Sequence, residues 1–230
     1  YKGRDVSGTG WGMKFDFIIV HESGHEWFAN NITHKDVADM WIHEGFTSYS
    51  ENLFLDYHFG TKASSEYVIG KRKTILNDRP IVGIYNVHHE GSGDMYNKGA
   101  NMFHTLRQLI EDDELWRKIL TGLNQDFYHQ TVTGKQVEDY LSEKSNKDLS
   151  SFFNQYLRTI KIPVLEYRIT DTEFTYRYTN IVEDFDMPLR VFINEKEVWI
   201  FPNTEWKKLE DNNIQFDPNF YVEYQEVKTE

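Results

Sequence analysis

The chain has 230 residues, 39% apolar and 16% aromatic, with a net charge of −12. That composition supports a packed core in one large or two modest domains and argues against disorder. The acidic balance argues against a nucleic-acid partner, whose phosphates require Lys and Arg. No run approaches the roughly 18 apolar residues of a membrane span, and the longest, around Phe15–Val20, is far too short. With no cysteine present, disulfides and thiolate ligands are excluded, so a metal would be held by His, Asp or Glu. The chain opens at Tyr1 without initiator Met or signal-type stretch. It therefore reads as a piece of a longer protein, its localisation unknown.

Residues 1–12 are rich in Gly and read as a loop. The segment from about Phe15 to Asn30, apolar at Phe17, Ile18, Val20, Trp27 and Phe28, predicts a buried helix. Gly24 inside it costs about 1 kcal/mol relative to Ala, which implies close packing at that point. A second helix is expected over 36–58 with Asp36 as its N-cap. Further helices are expected over 63–77, 96–111, 112–127 and 134–158, with a loop rich in Gly and His at 82–95. After Pro163 the pattern changes: VLEYRIT, EFTYRYTNI, LRVFIN, EVWIF and FYVEYQEV alternate apolar and polar residues between short turns. The expected fold class is α+β, with a mostly helical domain over 1–163 and a small all-β sandwich over 164–230.

The decisive segment is His21-Glu22-Ser23-Gly24-His25. Residues four apart share one helix face, so both imidazoles can reach a single ion. Glu22 projects about 100° around the helix from His21, beside the metal, where it can take a proton from water. A catalytic zinc needs a third protein ligand and one open position; Glu44 on the next helix supplies the ligand. Lone histidines are usually surface or satisfied core residues. A chance His-Glu-x-x-His in a chain of this composition is uncommon, about 3 in 100, and the spaced glutamate lowers that about tenfold.

HESGHEWFANNITHKDVADMWIHEGFTSYSE resembles the zinc signature of the aminopeptidase N family of gluzincin peptidases. Glu44 falls at the third-ligand position, and Trp27, Phe28, Asn30, Trp41, Gly45 and Phe46 match the flanking pattern. Glu26 and Ala29 depart from it. Asp94-Met95-Tyr96-Asn97-Lys98-Gly99-Ala100 resembles the family's Tyr-x-Lys-Gly segment. The resemblance implies a thermolysin-like catalytic domain followed by a β-sandwich, one zinc ion per chain, and peptide substrates with a free amino terminus. It implies metal-assisted peptide hydrolysis with Glu22 as general base and Tyr96 as donor to the developing oxyanion. The family's Gly-x-Met-Glu-Asn segment, which helps recognise the amino terminus, is not found in residues 1–20. The expectation is thus a fragment without its N-terminal domain, binding zinc but turning over feebly.

Glu51, two turns beyond Glu44, is the preferred carboxylate behind a ligating histidine, and Asp39 a weaker candidate. His43 is expected to point away from the metal, His88 and His89 to lie at the surface, and Lys98 to help position Tyr96 or substrate. Two other readings stay open, a zinc endopeptidase and a catalytically silent scaffold.

Overall fold

A computed structural model describes residues 3–228. The fold class is α+β: among the described residues, seven helices occupy most of the positions up to 158, and seven of nine strands follow. The Gly-rich segment is loop over its described part, Tyr1 and Lys2 lying outside the described residues. No helix among the described residues is long and apolar enough to cross a membrane.

Helix α1, Phe17–Gly24, is capped by the Asp16 side chain, which accepts from the Ile19 amide. It is shorter than its apolar pattern suggests and is not buried. Of its residues only Gly24 is buried, while Ile18 and Ile19 are 42% and 64% exposed. The chain leaves the helix because Asn30 N donates to His25 O and Ile32 N to Trp27 O. These bonds steer it into β1, Ile32–His34, which pairs in parallel with β2, Gln130–Val132. Both strands have three residues, too few for a period-2 signal.

Asp36 does act as an N-cap, but for a short 3₁₀ turn over Val37–Asp39 that precedes α2, Trp41–Phe59. Helix α3, Thr61–Lys71, ends earlier than expected and passes into another 3₁₀ turn, Arg72–Thr74. Helices α4, Asn97–Ile110, and α5, Asp113–Asp126, fall within a residue or two of their expected bounds. The single helix expected over 134–158 is two, α6 over Gly134–Ser145 and α7 over Ser150–Arg158. Asn146 takes the left-handed conformation between them, a conformation Asn tolerates and most residues do not.

The strands after residue 163 are β3 (Val164–Ile169), β4 (Phe174–Thr179), β5 (Leu189–Ile193), β6 (Lys196–Ile200), β7 (Lys207–Leu209), β8 (Ile214–Phe216) and β9 (Glu223–Glu226). They form two sheets, in the orders β7-β4-β3-β9 and β6-β5-β8. Alternation drives them: Phe174, Tyr176 and Tyr178 all turn inward from β4. Phe216 of the second sheet touches Tyr167, Phe174 and Tyr224 of the first. The three-residue β7 and β8 escaped the pattern for the same reason as β1 and β2.

One apolar cluster runs from Phe28 through α2, α4 and α7 to Val222, so the strands and helices share a core. Polar anchors reinforce the joint. Tyr156 donates to Tyr221 O at 2.7 Å, and Tyr221 N to Thr105 Oγ1 at 3.0 Å. His104 Nε2 lies 2.9 Å from Asn219 Oδ1.

His104 is 1% exposed. Burial, with help from Arg72 and Arg107, holds it neutral and lowers its pKa from 6.5 to about 4. The unfolded chain therefore takes up this proton first as pH falls. Stability is full above about pH 6.5 and should decline toward pH 4, by about 3 kcal/mol from this group. Denaturant unfolding at several pH values should show that decline, and it should become shallower in His104→Gln, His34 and His43 keeping theirs.

Candidate active site

Helix α2 carries Glu44 in its first turn and Glu51 seven residues later, on the side facing α1. Close approach of the two helices is favoured by Gly24: a Cβ there would meet Thr47 Cγ2 at 3.0 Å and the Ser50 Cβ at 3.3 Å, forcing a small shift. The packing implied by that glycine is therefore real. On its other side α2 meets α4 with similar intimacy, a Cβ on Gly99 coming within 2.9 Å of Gly45 Cα. Gly45 follows Glu44, and Gly99 lies three residues beyond Tyr96. This backbone crossing thus fixes the carboxylate and the phenol relative to each other.

His21, His25 and Glu44 converge. Each offers a ligand atom, and these atoms all lie within 4.8 Å of one another. His21 Nε2 is 3.2 Å and His25 Nε2 3.6 Å from Glu44 Oε2. The outer nitrogens are also engaged. His21 Nδ1 is 2.9 Å from Glu51 Oε1; His25 Nδ1 is 3.0 Å from the Phe28 carbonyl and 3.2 Å from Thr47 Oγ1. A carbonyl only accepts, so His25 Nδ1 carries hydrogen and Nε2 is the nitrogen turned toward Glu44. Two imidazole nitrogens and one carboxylate are a donor set suited to zinc, held by partners on their far side.

Electrostatics agree with that fit. Burial disfavours charge on His21, but the Glu44 and Glu51 carboxylates outweigh it and raise its pKa to about 9. Glu44 is held below its ordinary value by His21 and His25 despite burial. The cluster therefore stabilises positive charge at its centre.

Tyr96 stacks on the His21 ring, with centroids 5.8 Å apart and planes 24° apart. Burial and the Glu44 carboxylate push its phenol to about 12, so it remains an O–H donor at neutral pH. Glu22 is exposed. It lines a cavity of about 330 Å³ together with His21, Tyr96, Ser48, Glu51 and Lys71.

The structure corrects two expectations. Asp39 stands behind neither histidine. It is buried and accepts from Trp41 Nε1, Tyr85 Oη and Gly134 N, joining α2 to the start of α6. Lys98 points away from Tyr96 into the interior, where its Nζ donates to Thr159 O at 2.9 Å; burial lowers its pKa to about 8. His43 faces the strand side, its Nε2 accepting from His34 N at 3.1 Å, and His88 and His89 are exposed. Two residues escaped the sequence. Tyr67 and Lys71 of α3 both reach Glu51 Oε2, the tyrosine by a hydrogen bond and the lysine at 3.8 Å. Their only signal is a spacing of four on one helix, which many residue pairs share.

Comparison with known proteins adds an independent line. A family profile described as "Peptidase family M1 domain" matches residues 13–156. Aminopeptidase N of Lactococcus lactis subsp. lactis is 26% identical over 213 residues, which cover 84% of this chain and 24% of the relative. The alanine/arginine aminopeptidase of Saccharomyces cerevisiae is 25% identical over 186 residues, covering 73% of this chain and 21% of the relative. The crystal structure of Legionella pneumophila aminopeptidase A in complex with aspartic acid superposes with a TM-score of 0.69 at 18% identity. That match covers 93% of this chain and 27% of the other, a likeness of fold. The chain spans about a quarter of the length of these relatives. With the profile extending over more than half of its residues, and both imidazoles and the carboxylate inside the matched segment, this chain belongs to peptidase family M1.

Proposed function

We propose that this chain carries out zinc-dependent peptide-bond hydrolysis, removing residues from peptides with a free amino terminus. In this reading residues 1–163 are a thermolysin-like catalytic domain and 164–230 a β-sandwich, with one zinc ion per chain. The observation that carries it is the convergence of His21, His25 and Glu44, with each outer imidazole nitrogen tied to an acceptor. The preference for free amino termini rests on the names of the relatives.

Zinc held by these residues would supply Lewis-acid polarisation of a carbonyl oxygen and of water. The chain's own groups do the rest. Glu22, on the open side of α1, takes a proton from the attacking water and returns it to the leaving amine. Tyr96, kept protonated beside His21, donates to the oxyanion that develops on the substrate carbonyl. Glu51 and the Phe28 carbonyl keep both imidazoles facing Glu44.

Three substitutions separate these roles. Glu22→Gln should leave zinc affinity within about twofold and lower kcat by about 100- to 10,000-fold. Tyr96→Phe should cost about 100- to 1000-fold in kcat at little change in zinc affinity, whereas Glu44→Gln should abolish stoichiometric binding. Hydrolysis of an aminoacyl-anilide and an N-blocked peptide, each with and without chelator, reads the rest. Chelator-sensitive cleavage of the anilide alone supports the proposal. Cleavage of the blocked peptide would make the protein an endopeptidase, and inactivity toward both by the whole protein would make it a scaffold.

Zinc affinity should also depend on pH. His21 must lose its proton to bind, and its pKa is about 9. Apparent affinity should therefore rise about tenfold per unit between about pH 7 and pH 9 and then level off. Competition against a chelator of known proton linkage measures this, and a flat profile would contradict it.

A further inference from the structure

We propose that Tyr67 and Lys71 of α3 are positioning residues for the metal, acting through Glu51 to hold His21 in register with His25 and Glu44. This rests on the reading of those three residues as zinc ligands.

Consider how α1 is held. It buries only Gly24, and two of its aliphatic side chains face outward. Phe17 and Val20 do pack, half-buried, against Phe15, Leu55 and Tyr67, but the ring of His21 itself is oriented by polar links. The main one is Glu51, 3% exposed, whose Oε1 lies 2.9 Å from His21 Nδ1. A buried carboxylate needs partners on both oxygens, because each unsatisfied lone pair is costly away from water. Here the two oxygens are divided. One faces the ligand histidine and the other faces α3, where it receives the Tyr67 hydroxyl and lies 3.8 Å from Lys71 Nζ.

Tyr67 and Lys71 are four residues apart and so share one face of α3. Tyr67 is 1% exposed and packs edge-on to Phe15, with ring centroids 5.4 Å apart. Its hydroxyl is thus aimed by a packed ring. Lys71 Nζ sits 4.6 Å over the ring of Phe17, the first residue of α1, and 5.1 Å over that of Tyr67. It therefore touches both ligand-bearing helices, α1 through a cation–π contact and α2 through Glu51. Take away either group and Glu51 Oε2 loses a partner. The carboxylate can then turn, and the His21 ring turns with it. Groups that support metal ligands in this way typically change affinity by about 10- to 100-fold.

The test uses the intact chain stripped of metal. Zinc is titrated against a chromophoric chelator, and thermal melting of the metal-free protein is recorded in parallel. Tyr67→Phe keeps the ring and removes the hydroxyl; its zinc Kd should weaken on the order of 10-fold. Lys71→Met should weaken it similarly, and Lys71→Arg, which restores the cation, should recover most of the loss. Tyr49→Phe is the control. It removes another buried hydroxyl from this helical layer, one that accepts from Trp116 Nε1 at 3.1 Å, and should leave zinc affinity unchanged. Parental affinity in both Tyr67→Phe and Lys71→Met overturns the proposal, as does an equal loss in Tyr49→Phe. If Tyr67→Phe does not melt cooperatively, Lys71→Met decides alone. Absence of zinc binding in the parent itself would instead defeat the reading of the ligands.

Discussion

Everything at this site depends on the two-sided grip of α2 on one imidazole. Glu44 approaches His21 from one nitrogen at 3.2 Å and Glu51 from the other at 2.9 Å. The seven-residue separation that places both carboxylates on one face of α2 is two helical turns, and the ring spans the gap between them. Gly24 favours this approach, since a Cβ there would press on Thr47 and Ser50 of α2 and push the helices apart by a few tenths of an ångström. The motif's glycine and its histidines are therefore parts of one constraint.

That constraint is transmitted outward by rigid neighbours. The Gly45–Gly99 crossing locks α2 to α4, and with it Glu44 to Tyr96. Helix α4 is held in turn by the loop between β8 and β9, through Thr105 and Tyr221 and through His104 and Asn219. Arg72, just past α3, adds hydrogen bonds to the carbonyls of Pro218 and Asn219. The loop between β8 and β9 thereby braces the helical layer that carries His21, His25 and Glu44.

How much of this could be read from the sequence follows from the range of each interaction. His21 and His25 were legible because helical periodicity is local, four residues bringing them to one face, and Glu51 because seven residues bring it below Glu44; Glu44 itself, on another helix, was reached through the resemblance. The later strands were legible because Phe174, Tyr176 and Tyr178 alternate cleanly. What failed was long-range or short. Asp39 looked like a candidate because it lies near Glu44 in sequence, yet its partners Tyr85 and Gly134 lie 46 and 95 residues away. Lys98 was misplaced because the family segment fixes its position in the chain and not its direction. Helix α1 looked buried because its residues are apolar, and apolar residues need not be inside. The resemblance pointed to Tyr96; nothing pointed to Tyr67 or Lys71, whose meaning comes from α3 lying across Glu51.

The exposed flank of α1 has an energetic consequence. Helix α1 is held both by the packing of Phe17 and Val20 on Phe15, Leu55 and Tyr67 and by the two carboxylates beside its histidine. Those carboxylates, partly or fully removed from water, are stable only with positive charge between or beside them. Lys71 supplies part of it. The proton on His21, retained to about pH 9, supplies the remainder and measures how strongly the cluster favours a cation at its centre. A divalent ion among the same three atoms replaces that single charge with two, while the outer hydrogen bonds to Glu51 and the Phe28 carbonyl can persist. In the proposed function, an ion among these atoms would therefore tie α1 to α2 through His21, His25 and Glu44.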